Sequence, residues 1–201
     1  MTNATASAPL PPFRRVSDLL RDNARQRPQA SALADDDSAL NWAALDALVD
    51  RVAASLQQAG LQSGDVVAVC AASSVRYAAV YLGALRAGVV VAPLAPSVTP
   101  EAMASMLGDA QARLLFADAQ GRAAVPPAVM EGAGALPLVA LDDTGAGTPW
   151  IEWLAPEGAA PQPVDVGPEH PFNIIYSSGT TGNPKGCLLY TSDAADDMQC
   201  V

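Results

Sequence analysis

The chain has 201 residues, half of them apolar, and 21 acidic against 11 basic side chains leave a net charge of −10. That is enough apolar chain for a buried core, while the charge excludes the basic footprint of a nonspecific nucleic-acid binder and disfavours docking on anionic lipid. No uninterrupted apolar run approaches the roughly 20 residues that span a bilayer, and residues 1–12, rich in Ala, Thr, Ser and Pro, lack the basic-then-apolar order of a signal peptide.

Ser17 has the residue type of an N-cap, for a helix expected to end at Arg27-Pro28. A short strand, Ala32–Ala34, follows. Asp35-Asp36-Asp37 reads as a solvated turn rather than a metal site, because nothing nearby in sequence completes a ligand set. Asn41 can cap the next helix, in which Leu45, Leu48, Val49, Val52 and Leu56 fall at helical spacing and Gly60 is the stop. Val66–Cys70 reads as a buried strand. Tyr77, Val80, Tyr81, Ala84 and Leu85 repeat the helical spacing up to Gly88, and Val89–Leu94 is a second buried strand. Thr99-Pro100 gives a cap followed by proline at the first helical position, with Met103, Met106 and Leu107 on the inner face. Arg113–Ala117 is a third strand. Continuous apolar strands alternating with amphipathic helices predict an α/β fold of βαβ units, with a parallel sheet covered by helices on both sides.

Between Gly121 and Gly167 the periodicity loosens. Leu136–Leu141 is expected as a strand and Trp150–Leu154 as a short helix, with Ala155–Pro168 a surface connection. Trp42, Trp150 and Trp153 are read as packing or surface anchors, and His170, the one histidine, as structural at a strand entrance. Cys70, Cys187 and Cys200 are too far apart for a disulfide framework or a zinc pattern, which fits a reducing cytosol and a cytoplasmic protein.

Chemistry concentrates in Ile174-Ile175-Tyr176-Ser177-Ser178-Gly179-Thr180-Thr181-Gly182-Asn183-Pro184-Lys185-Gly186. The strand-like run Phe172–Tyr176 feeds directly into a segment of four hydroxyl residues, three glycines and one lysine. Glycines let successive backbone N–H groups converge on an anion. Hydroxyls add donors that rotate to suit phosphate oxygens or face a metal. Lys185 adds a mobile point charge, and Pro184 stiffens the chain before it. It is not a Walker A loop, which needs glycine before the lysine and Ser/Thr after it. The competing reading, a Gly/Ser/Thr linker, is weakened by the strand that enters the loop.

Tyr176 to Gly186 resembles the AMP-binding signature of the adenylate-forming superfamily, which holds acyl- and aryl-CoA synthetases, firefly luciferase and peptide-synthetase adenylation domains. Asp18–Ala24, Gly64–Val69 and Leu82–Gly88 are similar to the N-terminal part of such enzymes, the CoA ligases especially. The resemblance implies residues 1–12 as a flexible N-terminus and 13–186 as an incomplete N-terminal AMP-binding domain. It implies Ser177, Ser178, Gly179, Thr180, Thr181 and Gly182 as the grip on ATP phosphates, Thr181 facing Mg²⁺, and Lys185 as the catalytic charge on the departing pyrophosphate. The family's acyl pocket, hinge and C-terminal catalytic lysine fall on no position of this chain, so the chain alone is expected not to turn over substrate. Residues 187–201 depart from the family, and Cys187–Asp197 resembles a translated library adaptor; this tail is expected to be non-native. The implied reaction joins a small carboxylic acid to CoA at the expense of ATP. A peptide-synthetase adenylation domain and a noncatalytic nucleotide-binding module are the alternatives.

Overall fold

The computed structural model describes residues 13–132, 134–177 and 184–191. Helix α1 (Val16–Gln26) starts two residues earlier than expected, with Arg15 at the N-cap position and no side-chain cap. Ser17 is instead buried in the first turn, where its Oγ accepts a hydrogen bond from Arg86 Nε at 2.9 Å. A buried guanidinium cannot leave a donor unpaired, and that demand overrides the capping role.

Strands β1 (Ser31–Ala34) and β2 (Ala39–Asn41) form a separate two-stranded antiparallel sheet. The acidic turn between them does more than meet water. Asp35 Oδ1 accepts from the amides of Asp37 and Ser38, and its Oδ2 accepts from Val75 N at 2.7 Å, the first residue of a later helix. Asn41 caps α2 (Trp42–Gln58) as expected, its side chain accepting from Ala44 N at 2.9 Å.

Next come β3 (Val66–Cys70), α3 (Val75–Ala87) and β4 (Val90–Pro93). Gly88 ends α3 at φ +69°, in the left-handed region that favours glycine. Thr99 caps α4 (Pro100–Asp109), and β5 (Leu114–Ala117) follows. Two short helices that the sequence pattern did not reveal, α5 (Ala119–Ala124) and α6 (Pro127–Met130), lead to β6 (Leu138–Ala140). The two-residue β7 (Thr148–Pro149) and the short helix α7 (Trp150–Trp153) precede β8 (Pro171–Ser177) and β9 (Lys185–Tyr190).

The main sheet has seven strands in the order β7-β6-β5-β3-β4-β8-β9. All neighbours are parallel except β8 and β9, which form an antiparallel hairpin. Alternate residues of β3 feed the two cores, as the pleat requires. Val67 and Val69 pack under α2 and α3 with Phe116, while Ala68 and Cys70 pack under α4 with Met103, Met106 and Leu107. Gly83 is where α3 meets α2 closely: a Cβ there would lie 2.4 Å from Val52 Cγ1.

Strand β3 leaves its carboxyl end toward α3 on one face, and its neighbour β4 leaves toward α4 on the other. Adjacent connections that part to opposite faces open a crevice at the carboxyl ends, where open α/β sheets take their ligands. β8 lies beside β4 and ends on the same rim. The connection at 155–168 has no helix or strand, as expected, and is tied to α2: Arg51 Nε donates to the Ala155 carbonyl at 2.7 Å, and Gln162 N donates to Gln57 Oε1 at 2.8 Å.

Further along the rim, Arg122 donates from Nη1 to Asp142 Oδ1 at 2.8 Å and from Nη2 to Asp142 Oδ2 at 3.0 Å. This fork holds the Asp142 carboxyl far below the usual carboxylate range, against the opposing effect of its partial burial. The folded value lies under the unfolded one, so the pair stabilises the fold above about pH 4 and loses that contribution as pH falls through the folded value. Asp142→Asn is therefore expected to melt lower than wild type at pH 7, with the gap closing below about pH 3 in thermal denaturation.

Candidate active site

The site is built on the β8–β9 hairpin. Asn173 pairs with Val91 of β4, so β8 extends the parallel sheet and carries Ser177 to the rim. β9 returns with Ser177 opposite Lys185, Tyr176 opposite Gly186, Ile175 opposite Cys187 and Ile174 opposite Leu188. Ser177 and Lys185 are thus the last rung before the loop, and both are exposed. Lys185 makes no ion pair among the described residues. Ser178, Gly179, Thr180, Thr181 and Gly182, expected to grip phosphate, lie outside the described residues.

One rung below the mouth, the Tyr176 hydroxyl donates to Asp109 Oδ2 at 2.7 Å and also lies 3.0 Å from the Met106 carbonyl oxygen. Burial pushes the Tyr176 phenol well above its usual range, and the hydrogen bond and charge of Asp109 push it further. It stays a neutral donor at any physiological pH. The sequence singled out Tyr176 only as part of the motif and missed Asp109, which lies 67 residues away and carries no local signal of the partnership.

Residues 187–190 of the expected non-native tail complete β9, with Leu189 buried and Leu188 and Tyr190 exposed. An antiparallel edge strand needs only free amides and an alternating apolar pattern, so pairing is indifferent to the segment's origin. His170 is structural, as expected: its Nε2–H donates to the Gly88 carbonyl at 2.9 Å. Cys70 is fully buried, its thiol pushed up to about 11 by burial and then by the charge of Asp118, which leaves it no nucleophilic role. Trp150 is buried, and Trp153 stacks edge-on against Phe116 with centroids 4.9 Å apart.

An apolar cavity of about 170 Å³, lined by Phe13, Val16, Leu85, Val89 and Phe172 among others, lies at the amino ends of β4 and β8. That is the opposite end of the sheet from Lys185. Its size does not outweigh the chemistry, because its rim arginines Arg14 and Arg15 are already paired with Asp22 and Asp18. Among the described residues no group of three or more His, Cys, Asp or Glu side chains could hold a metal ion.

Residues 20–200 match the family of AMP-binding enzymes. The chain belongs to that family. It is 32% identical over 189 residues to a linear gramicidin synthase of Brevibacillus parabrevis, covering 93% of this chain and 3% of that protein. It is 34% identical to 3-hydroxybenzoate–CoA ligase of Aromatoleum sp. (strain CIB), covering 81% of this chain and 34% of the ligase. Among solved structures it superposes on the anthranilate–CoA ligase AuaEII, crystallised with anthranoyl-AMP, with a TM-score of 0.83 at 20% identity over 92% of this chain and 36% of that one. The likeness confirms the α/β fold as that of the N-terminal adenylate-forming domain. The chain spans about a third or less of each of these curated relatives. No helix among the described residues is long and apolar enough to cross a membrane.

Proposed function

We propose that this chain carries the nucleotide-phosphate grip of an ATP-dependent acid–thiol ligase of the acyl-CoA synthetase type. The observation that carries the reading is the Ser177–Lys185 rung. It sets a hydroxyl and an exposed cation at the carboxyl end of a parallel strand, beside the crevice, with a glycine- and hydroxyl-rich connection between them.

In this reading the substrate carboxylate attacks the α-phosphorus of ATP, acyl-AMP forms and pyrophosphate leaves. A thiol, that of CoA, then attacks the acyl carbonyl and AMP departs. The difficulty of the first step is charge, because an anion approaches a polyanion and a polyanion must leave. Lys185 offsets the charge gathering on the pyrophosphate, and the backbone amides and hydroxyls of 177–182 hold the β- and γ-phosphates where that charge develops. Mg²⁺ would supply further charge neutralisation with the nucleotide. Thr181, the hydroxyl that the resemblance sets facing the ion, is this chain's proposed contribution to its shell.

A second reading, an adenylation domain that passes an amino acid to a carrier-protein thiol, is favoured by the likeness to the gramicidin synthase along nearly the whole chain. One experiment separates the readings. The protein expressed from the intact gene is assayed for acid-dependent pyrophosphate release with fatty, aryl and amino acids, with CoA and with a carrier protein. Release accompanied by a CoA thioester is the expected result. Transfer to the carrier alone selects the second reading. Absence of release with every acid leaves a noncatalytic nucleotide-binding module and defeats both.

A further inference from the structure

Gly186 is the last residue of the motif and lies outside the loop, so phosphate contact does not account for it. Its cross-strand partner Tyr176 does. A Cβ at Gly186 would lie 3.0 Å from Tyr176 Cε1 and 3.1 Å from Asp109 Oδ2, tighter than such contacts ordinarily are. The bare glycine lets the tyrosine ring cross β9 and reach the end of α4.

There a single phenolic proton meets two acceptors. Asp109 Oδ2 at 2.7 Å is nearer than the Met106 carbonyl at 3.0 Å, and a carboxylate makes the stronger, charge-assisted bond. The Met106 carbonyl already accepts from Ala110 N at 2.9 Å. Asp109 occupies the last turn of α4, where the helix dipole disfavours a negative charge. Helix stability therefore does not explain an aspartate at this position, whereas the tyrosine bond does.

We infer that Tyr176, Gly186 and Asp109 form a latch that fastens the mouth of the phosphate loop to α4, making them positioning residues for Ser177 and Lys185. Side chains alternate along each strand, so those of Ser177 and Lys185 leave the opposite face of the hairpin and the latch does not obstruct them. The inference rests on the phosphate-loop reading for its function, but the fastening itself is measurable without turnover.

Tyr176→Phe keeps the ring and removes the hydroxyl. In hydrogen exchange of the protein from the intact gene, amides of 177–186 are expected to exchange about tenfold faster while the β3–β5 core is unchanged, the fold-change matching loss of one charge-assisted bond. In the pyrophosphate assay KM for MgATP is expected to rise about tenfold, with kcat and the KM for the acid held within about twofold. Gly186→Ala, which displaces the ring but leaves both polar groups, should show the same pattern, and Asp109→Asn, which keeps an acceptor, should restore most of what Asp109→Ala loses. Tyr176→Phe that matches wild type in both exchange and KM overturns the latch. So does uniform loss of protection across the core, the mark of a merely structural contact. If wild type turns over no acid, the function above falls, and the exchange of 177–186 alone decides the latch.

Discussion

Lys185→Ala is expected to lower acid-dependent pyrophosphate release by about 10²–10³-fold, the cost of removing one preorganised charge or donor from the place where negative charge develops. The fold should survive the change. Lys185 is exposed, sits at the terminal rung of an edge hairpin and makes no ion pair among the described residues. Surface changes of that kind move stability by about 0.5 kcal/mol at most. The assay therefore pairs initial rates with thermal melting of the same preparations. Lys185→Arg should recover only part of the rate, because the charge returns but a planar fork replaces a compact ammonium. A variant that keeps the wild-type rate, or one whose slow rate follows a lowered melting temperature, would remove Lys185 from the chemistry.

What could be read from the sequence was local. Asn41 and Thr99 cap helices with partners three residues on, and Gly88 supplies the one backbone conformation that ends α3 there. Val66–Cys70 announces a strand buried on both faces because both faces are apolar. Pairings across the fold left no trace in the pattern. Ser17 has the residue type of a cap, yet its bond goes to Arg86, 69 residues away. Helices α5 and α6 are too short to show a period, and β1 pairs with a strand of only three residues. Of the site, the motif named the residues and the sheet supplied their place: β8 beside β4, with Ser177 facing Lys185. The sequence offered no reason for Gly186, since that reason is a tyrosine ring and the end of another helix.

Arg86→Met is expected to destabilise the protein by about 3 kcal/mol, the lower end of the cost of breaking a buried ion pair from one side. The Arg86 side chain is 2% exposed and links three helices. Its Nε donates to Ser17 on α1, its Nη1 to Asp50 Oδ1 at 2.8 Å and the Asp46 carbonyl at 3.0 Å, and its Nη2 to Asp46 Oδ1 at 2.5 Å. Methionine fills similar space but leaves two carboxylates facing each other and a serine hydroxyl without its donor. The loss stays near the lower end because Asp46 and Asp50 keep 22% and 25% side-chain exposure, and Arg21 still reaches Asp50 at 3.3 Å. In a domain of this size the shift corresponds to roughly 6–12 °C in melting temperature. Arg86→Lys should fall between, keeping the charge but not the fork. Combining Arg86→Met with Asp46→Leu and Asp50→Leu should regain most of the loss, since replacing the buried guanidinium together with both carboxylates it holds avoids an uncompensated buried charge, and Arg21, 39% exposed, is left to water. KM for MgATP should hardly move in any of these variants, because the cluster binds α1, α2 and α3 behind the sheet and touches neither α4 nor the hairpin. A triple variant no more stable than Arg86→Met alone would show that the arginine holds the helices by its shape and not by the charges it separates.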